Sequence, residues 1–263
     1  MQISIWEKES FFAPRDIIII GAGLMGLWCA YELKKKNSSL KILILEKGII
    51  PSGASTRNAG FSCFGSVTEL LHDAKKIGEE KMWQIVEMRY KGMKKISKIF
   101  SDDEIDSDNC GGYECVTKTL HDLNDLKEKI IWLNKGLKQI TSLDETFVFA
   151  NDKLKKFGFK NFDGLIENNL EGGLHSGKLV QALTRKVQSL GVDILTGITA
   201  INWEENKNEI LIRTDKNVCL TASQLLVCTN AFSNQLSKNI EITPARGQIL
   251  VTSPIENLKL NGT

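Results

Sequence analysis

The first strong pattern in the chain is Ile17-Ile18-Ile19-Ile20, an unbroken β-branched run closed by a glycine turn, which predicts a strand buried on both faces. Residues 24–36 take helical character and end in Lys34-Lys35-Lys36, followed by Asn37-Ser38-Ser39. The three lysines suit the negative pole of the helix dipole and read as a solvated terminus. Residues 41–46, Lys-Ile-Leu-Ile-Leu-Glu, predict a second buried strand. Two such strands joined by a helix make a βαβ unit, whose right-handed crossover sets the strands parallel.

Residues 66–100 are helical and charged, with apolar anchors at Leu70, Leu71, Ile77, Trp83, Val86, Met93 and Ile96. The acidic stretch 101–109 predicts a loop, 111–116 the start of a strand, and 123–140 another amphipathic helix. This middle section reads as an inserted second domain, and the first domain is expected to resume near residue 165. In 177–190, Leu179, Leu183, Val187 and Leu190 share one helical face, with Gly191 as the expected C-terminal cap. Short strands are predicted at 192–195, 198–203 and 209–214, with a polar turn at 204–208. A buried strand at 225–228 ends in Thr229-Asn230-Ala231, and a further strand is expected near 249–252.

Composition changes this picture little. With 263 residues, 42% apolar and 25% charged, there is room for one large domain or two intimate ones. A net charge of +2 gives no global field to recruit nucleic acid or an anionic membrane. The six cysteines form no C-x-x-C pair and fit neither a zinc site nor a disulfide scaffold, so no metal is expected. Cys29, Cys219 and Cys228 lie in apolar segments and are expected to be buried, as suits a reducing cytoplasm. The uncharged run 17–31 is too short for an ordinary spanning helix, follows Arg15-Asp16 directly and carries three spaced glycines. It reads as strand, turn and helix, in a cytoplasmic protein without membrane association.

The chemistry enters with Gly21-x-Gly23-x-x-Gly26, placed directly after the first strand and opening the first helix. Gly21 permits the tight turn, Gly23 lets backbone approach a pyrophosphate, and Gly26 allows close helix–strand packing. The helix N-terminus offers unpaired N–H groups and a positive dipole end to phosphate. Alone this pattern is weak, because glycine-rich turns are common. Glu46 strengthens it: twenty residues past Gly26, at the end of the second strand, a carboxylate can accept both ribose hydroxyls. Its charge also repels a 2′-phosphate, which disfavours NADP. FAD and NAD both remain.

The next segment, Pro51-Ser52-Gly53-Ala54-Ser55-Thr56-Arg57-Asn58-Ala59-Gly60-Phe61, is small, hydroxylated and carries one guanidinium suited to phosphate. A mobile polar loop is the plain alternative. Together with Gly21-Ala22-Gly23-Leu24-Met25-Gly26 and Leu45-Glu46-Lys47, this run resembles the D-amino-acid oxidase/glycine oxidase-like FAD-dependent oxidoreductases. Residues 171–179, Glu-Gly-Gly-Leu-His-Ser-Gly-Lys-Leu, are similar to the family's lead into a helix of the FAD domain. Ala200 stands where the family's backbone meets the adenine, and 226–231 resembles its strand and turn beside the cofactor. Pro244-Ala245-Arg246-Gly247-Gln248 resembles the segment re-entering the substrate domain.

The resemblance implies an α/β fold: a Rossmann-like FAD-binding domain at 1–95 and 165–237, with an inserted α+β substrate domain at 96–164 and 238–263. It implies that Gly21 to Gly26, Glu46, Lys47, Ala54, Ser55, Thr56, Arg57, Asn58, Ala59, Gly60, Ala200, Thr229, Asn230 and Ala231 hold FAD. It also implies oxidation of the C–N bond of a small amine or amino acid, with hydride transfer to flavin N5 and reoxidation by dioxygen or another acceptor. The cofactor carries that chemistry, so no protein catalytic residue is assigned. Family members usually continue beyond this chain, so the substrate domain is expected to be incomplete, FAD binding weak and turnover small.

Other signals are set aside. His72, His121 and His175 are scattered, and Asp106-x-Asp108-x-Cys110-Gly111 lacks the oxygen ligands of a calcium loop. Trp83 and Trp132 read as core. Cys63 follows the flavin-loop resemblance, and packing is its simplest role. Two other readings stay open: an RNA-modifying flavoprotein, disfavoured by the absence of a basic aromatic patch, and a non-catalytic FAD-binding fragment or part of a split enzyme. Oligomerisation is compatible with everything above.

Overall fold

The computed structural model describes residues 3–236, 239–245, 247–250, 252–253 and 255–263. The chain runs through α1 (Ile5–Glu9), β1 (Arg15–Ile20), α2 (Leu24–Lys36) and β2 (Ile42–Glu46), then a short 3-10 turn at Ala54–Thr56. It continues as β3 (Phe61–Ser62), α3 (Val67–Ile77), α4 (Glu79–Ile99), α5 (Asp102–Ile105), β4 (Gly112–Val116) and α6 (Leu123–Thr141). Next come β5 (Phe147–Phe149), α7 (Asp152–Phe157), β6 (Gly164–Asn168) and β7 (Gly172–Gly173). The last part is α8 (Ser176–Ser189), β8 (Asp193–Thr196), β9 (Ala200–Glu205), β10 (Ile210–Thr214), β11 (Cys219–Val227), a 3-10 turn at Asn230–Phe232 and α9 (Ser233–Leu236). Two compact units result: Met1–Asn58 with Ser176–Ile249, and Ala59–His175 with Leu250–Thr263.

The first unit is organised by a six-stranded sheet in the order β8-β2-β1-β11-β10-β9. β1 lies parallel to β2 and β11, and β2 parallel to β8, while β10 runs antiparallel to β9 and β11. The four isoleucines of β1 are buried, as their pattern predicts. One face packs Ile18, Ile20, Leu43 and Leu45 with Ile212, Val218 and Leu220. On the other face α2 closes on Ile19 through Gly26, whose Cβ position is 3.3 Å from that side chain. Each aliphatic side chain buried in this way contributes about 1.5–3 kcal/mol.

The second unit has a three-stranded antiparallel sheet, β4-β6-β5, and the two-stranded pair β3-β7. Leu70, Met82, Val86, Leu126, Leu133 and Leu137, from α3, α4 and α6, join Phe147 and Ile166 in one core. Trp83 and Trp132 pack against it, their rings 5.6 Å apart. This core explains the unit boundaries. The helices of 67–99 bury their apolar stripes on the second unit's sheet, and β6 pairs with β4 and β5, so the chain returns to the first unit at Ser176 rather than near 165.

Several local expectations are corrected. The single helical stretch of 66–100 is broken by Gly78, at φ +88, a conformation that costs glycine little. The expected acidic loop contains α5, because Ser101 accepts from Glu104 N and three acidic residues sit at the positive end of that turn. Lys34 is not solvated: it is buried and donates to Ser38 O (2.6 Å) and Leu40 O (3.0 Å), closing the end of α2. β11 is twice as long as expected, because its first half pairs antiparallel with β10 and its second half parallel with β1. Its Leu225 and Leu226 are half-buried and Val227 is exposed, and Cys219 is exposed as well. Residues 249, 250 and 252 belong to no strand, and Val251 and Arg246 lie outside the described residues. No helix among the described residues is long and apolar enough to cross a membrane.

Candidate functional site

The end of β1, the turn into α2 and the end of β2 converge on one cleft of the first unit, about 970 Å³ in volume. That is within the range of about 300–1,000 Å³ usual for ligand sites. The three glycines have distinct geometric reasons. Gly21 sits at φ +106, and a Cβ there would lie 2.6 Å from Cys228 O. A Cβ on Gly26 would lie 2.0 Å from Gly21 O, so only hydrogen lets the first turn of α2 rest on the loop before it. A Cβ on Gly23 would lie 2.8 Å from Ser55 Oγ.

Glu46 is the buried acid of the site. Its Oε2 accepts from Ala22 N at 3.0 Å and its Oε1 from Gly48 N at 2.9 Å. The carboxylate therefore ties the end of β2 to the glycine turn. A carboxylate has about four acceptor positions, so two backbone bonds leave capacity for ribose hydroxyls. Lys47, the next residue, lies over the Phe232 ring at 3.2 Å from its centroid.

Of the remaining candidates, Ala54, Ser55 and Arg57 line the cleft, as do Ala200, Thr229, Asn230 and Ala231. Ser55 Oγ accepts from Leu24 N at 2.9 Å, at the start of α2, where Gly23 as N-cap offers no side chain. Thr56 turns inward and donates to Pro51 O at 2.7 Å. The Asn58 amide is used within its own loop, donating to Ala54 O and Ser55 O. Met25 is exposed and lines no part of the cleft. Ala59 and Gly60 begin the second unit, where Gly60 O accepts from Leu174 N at 2.8 Å. Asn230 takes a positive φ of 46, and Thr229 and Ser233 share a hydroxyl hydrogen bond of 2.9 Å. Cys228, inside the 226–231 stretch, lines the cleft too, and Phe232, just past that stretch, also lines it and was missed. An aromatic two residues past the Asn230 turn was the available signal for Phe232.

The donor set suits the ADP half of a dinucleotide: backbone N–H groups at a helix start, a hydroxyl, an exposed guanidinium and a ribose-type carboxylate. Cys228 also reaches the site, its thiol pushed up to about 11 by burial and by the neighbouring Cys29. It is therefore protonated and unreactive at neutral pH.

The second unit has its own cavity of about 400 Å³, with Phe61, Val67 and Phe147 among its walls and Glu114 and Glu171 among its polar groups. Glu114 accepts from the hydroxyls of Ser66 and Thr68, and also from Thr68 N at 3.3 Å. Burial pushes the Glu171 carboxyl above its ordinary value, against weaker contacts from Thr263 and Asn168. Cys63 lines this cavity, and burial, with Glu171 and Glu69 beside it, raises its thiol too. Among the described residues no group of three His, Cys, Asp or Glu side chains is placed to hold a metal ion.

The probable oxidoreductase OrdL of Haemophilus influenzae is 26% identical over 249 residues, covering 91% of this chain and 56% of that protein. The glycine oxidase structure from Geobacillus kaustophilus superposes with a TM-score of 0.60 at 16% identity, over 86% of this chain and 58% of that one. L-proline dehydrogenase from P. horikoshii gives 0.59 at 17% identity, over 95% and 63%. At these identities the two structures show the fold alone, and the chain spans 56% to 63% of the length of these three proteins. The family model for the FAD dependent oxidoreductases of the DAO type matches residues 16–262, and the chain belongs to that FAD-dependent family.

Proposed function

We propose that the first unit holds the ADP half of FAD and that the protein oxidises the C–N bond of a small amine or amino acid. The observation that carries the reading is the union of Glu46 with the glycine turn through Ala22 N, which sets a ribose-type acceptor beside a phosphate-type donor cluster. In this reading Gly21, Gly23, Ser55 and Arg57 face the pyrophosphate, while Ala200 and the Thr229–Ala231 turn border the adenosine. Lys47 borders the same cleft, and Thr56 holds the covering loop from behind through Pro51 O. The names of glycine oxidase and L-proline dehydrogenase support an amino-acid or amine substrate. Bound FAD supplies the acceptor for the hydride that leaves the carbon bearing nitrogen. The protein's share is to bind, orient and keep water from the reacting centre.

The test is anaerobic mixing of the FAD-loaded protein with a panel of amines, amino acids, hydroxy acids and thiols, followed by flavin absorbance. Bleaching by an amine or amino acid, with imine hydrolysis products recovered, is the expected result. Bleaching by a hydroxy acid with none by any amine would overturn the C–N assignment. FAD binding with no reduction by any compound would favour a non-catalytic FAD-binding role.

A further inference from the structure

The loop that carries Ser55 is fastened to a helix distant in sequence. Ser176, the first residue of α8, donates from Oγ to Asn58 Oδ1 at 2.6 Å. The Asn58 amide in turn donates to Ala54 O at 3.0 Å and to Ser55 O at 3.1 Å. Ser55 then accepts from Leu24 N at 2.9 Å. Three side chains thus join the start of α8 to the start of α2, and every one lies in the first unit.

We propose that Ser176 and Asn58 are a latch that positions Ser55 over the phosphate cradle and sets how long FAD stays bound. The inference rests on the FAD reading above and adds residues that touch no cofactor themselves. Its physical argument is directional. Asn58 spends both amide donors on carbonyls of the turn and its carbonyl on Ser176, so its side chain has one orientation that satisfies all three. That orientation holds the Ser55 carbonyl, and with it the Cα from which Oγ reaches Leu24. A hydroxyl accepting from Leu24 N still has its own proton to donate. In a cradle built for pyrophosphate, an oxyanion is the acceptor it meets. Gly23 belongs to the same device, since any Cβ there would push Ser55 Oγ out of place. The exposed position of the Ser176–Asn58 bond lets the latch open without disturbing the core.

Latch and ordinary stabilising contact predict different data. The experiment measures FAD dissociation rate, apoprotein unfolding midpoint and amide exchange at Leu24 for wild type, Ser176→Ala, Ser176→Thr, Asn58→Ala and the double alanine variant. Ser176→Ala should speed FAD release on the order of five- to tenfold, the worth of one hydrogen bond. It should also speed exchange at Leu24 in the apoprotein and leave the unfolding midpoint nearly unchanged. Ser176→Thr, which keeps the hydroxyl, should restore both. The double variant should release FAD little faster than Asn58→Ala, because both act on one path. Release unchanged in Ser176→Ala while wild type binds FAD would overturn the latch alone. So would faster release with a proportionate fall in midpoint and no rescue by Ser176→Thr, because that is general destabilisation. A wild-type chain that takes up no FAD would overturn the dinucleotide reading, and the latch with it.

Discussion

Gly26→Ala is the substitution whose consequence follows most directly from the geometry. Its Cβ would lie 2.0 Å from Gly21 O, while real Cβ atoms stay beyond 3.0 Å of such atoms. The obstacle is backbone, so no rotamer change relieves it, and the start of α2 must move away from β1 by at least ~1 Å. Overpacking of this kind costs about 1–3 kcal/mol, and a clash with backbone belongs at the upper end. The better helix propensity of alanine returns roughly 0.5–1 kcal/mol. The net loss should be about 2 kcal/mol, some thirtyfold in the folding equilibrium. Gly92→Ala is the internal control: Gly92 lies in the exposed interior of α4, with nothing within 4 Å of its Cβ position. There the propensity gain stands alone and stability should rise by about 0.5–1 kcal/mol. Urea unfolding of the apoproteins measures both. The same shift moves the N–H groups of α2 off the phosphate position, so FAD affinity of Gly26→Ala should fall by tenfold or more. If Gly26→Ala matched Gly92→Ala in sign, the close packing of turn and helix would be refuted.

Three further outcomes follow. Glu46→Gln leaves one acceptor for two backbone N–H groups and should lose about 1–3 kcal/mol of apoprotein stability, read by denaturant titration. Lys34→Met removes the donor to Ser38 O and Leu40 O and should lower stability by a similar amount; no change would mean that water replaces the lysine at no cost. Glu171, raised by burial above its ordinary 4.5, binds its proton more tightly folded than unfolded. Its contribution to stability therefore falls as pH rises from 4.5 through the folded value. Glu171→Gln should be the more stable protein at neutral pH, with its advantage shrinking as pH drops toward 4.5 in unfolding midpoints measured across that range. An advantage that stayed constant would show that the carboxyl's charge is not what burial penalises.

What was legible in the sequence was local. The isoleucine run, the spacing of Gly21, Gly23 and Gly26, and the distance to Glu46 all report one βαβ unit whose geometry depends on near neighbours. The long helices were legible from their stripes, but the break at Gly78 was not, because glycine inside a helical pattern does not announce a positive φ. α5 was lost in its acidic composition, although Ser101 followed by Glu104 is a cap signal. Lys34 was read from its charge alone, and the carbonyls it closes lie in a turn that only folding brings back. The second unit's boundary depended on β6, whose partners are 17 to 56 residues distant in sequence. The same reason hid the Ser176–Asn58 bond, which spans 118 positions. Ser55 was identified by resemblance, yet its contact with Leu24 N needed the folded loop.

The central claim is that the first unit's cleft takes the ADP half of FAD, and competition titration tests it most directly. FAD binding is followed by flavin fluorescence, with ADP, ADP-ribose, its 2′-phosphorylated form and FMN as competitors. The account predicts that ADP and ADP-ribose displace FAD, and that the 2′-phosphorylated form does so more weakly because Glu46 faces the ribose. FMN should not compete, and Glu46→Gln should narrow the gap between the two ADP-ribose forms. Displacement by FMN with none by ADP would contradict the claim, since the cleft would then be reading the flavin rather than the adenosine end.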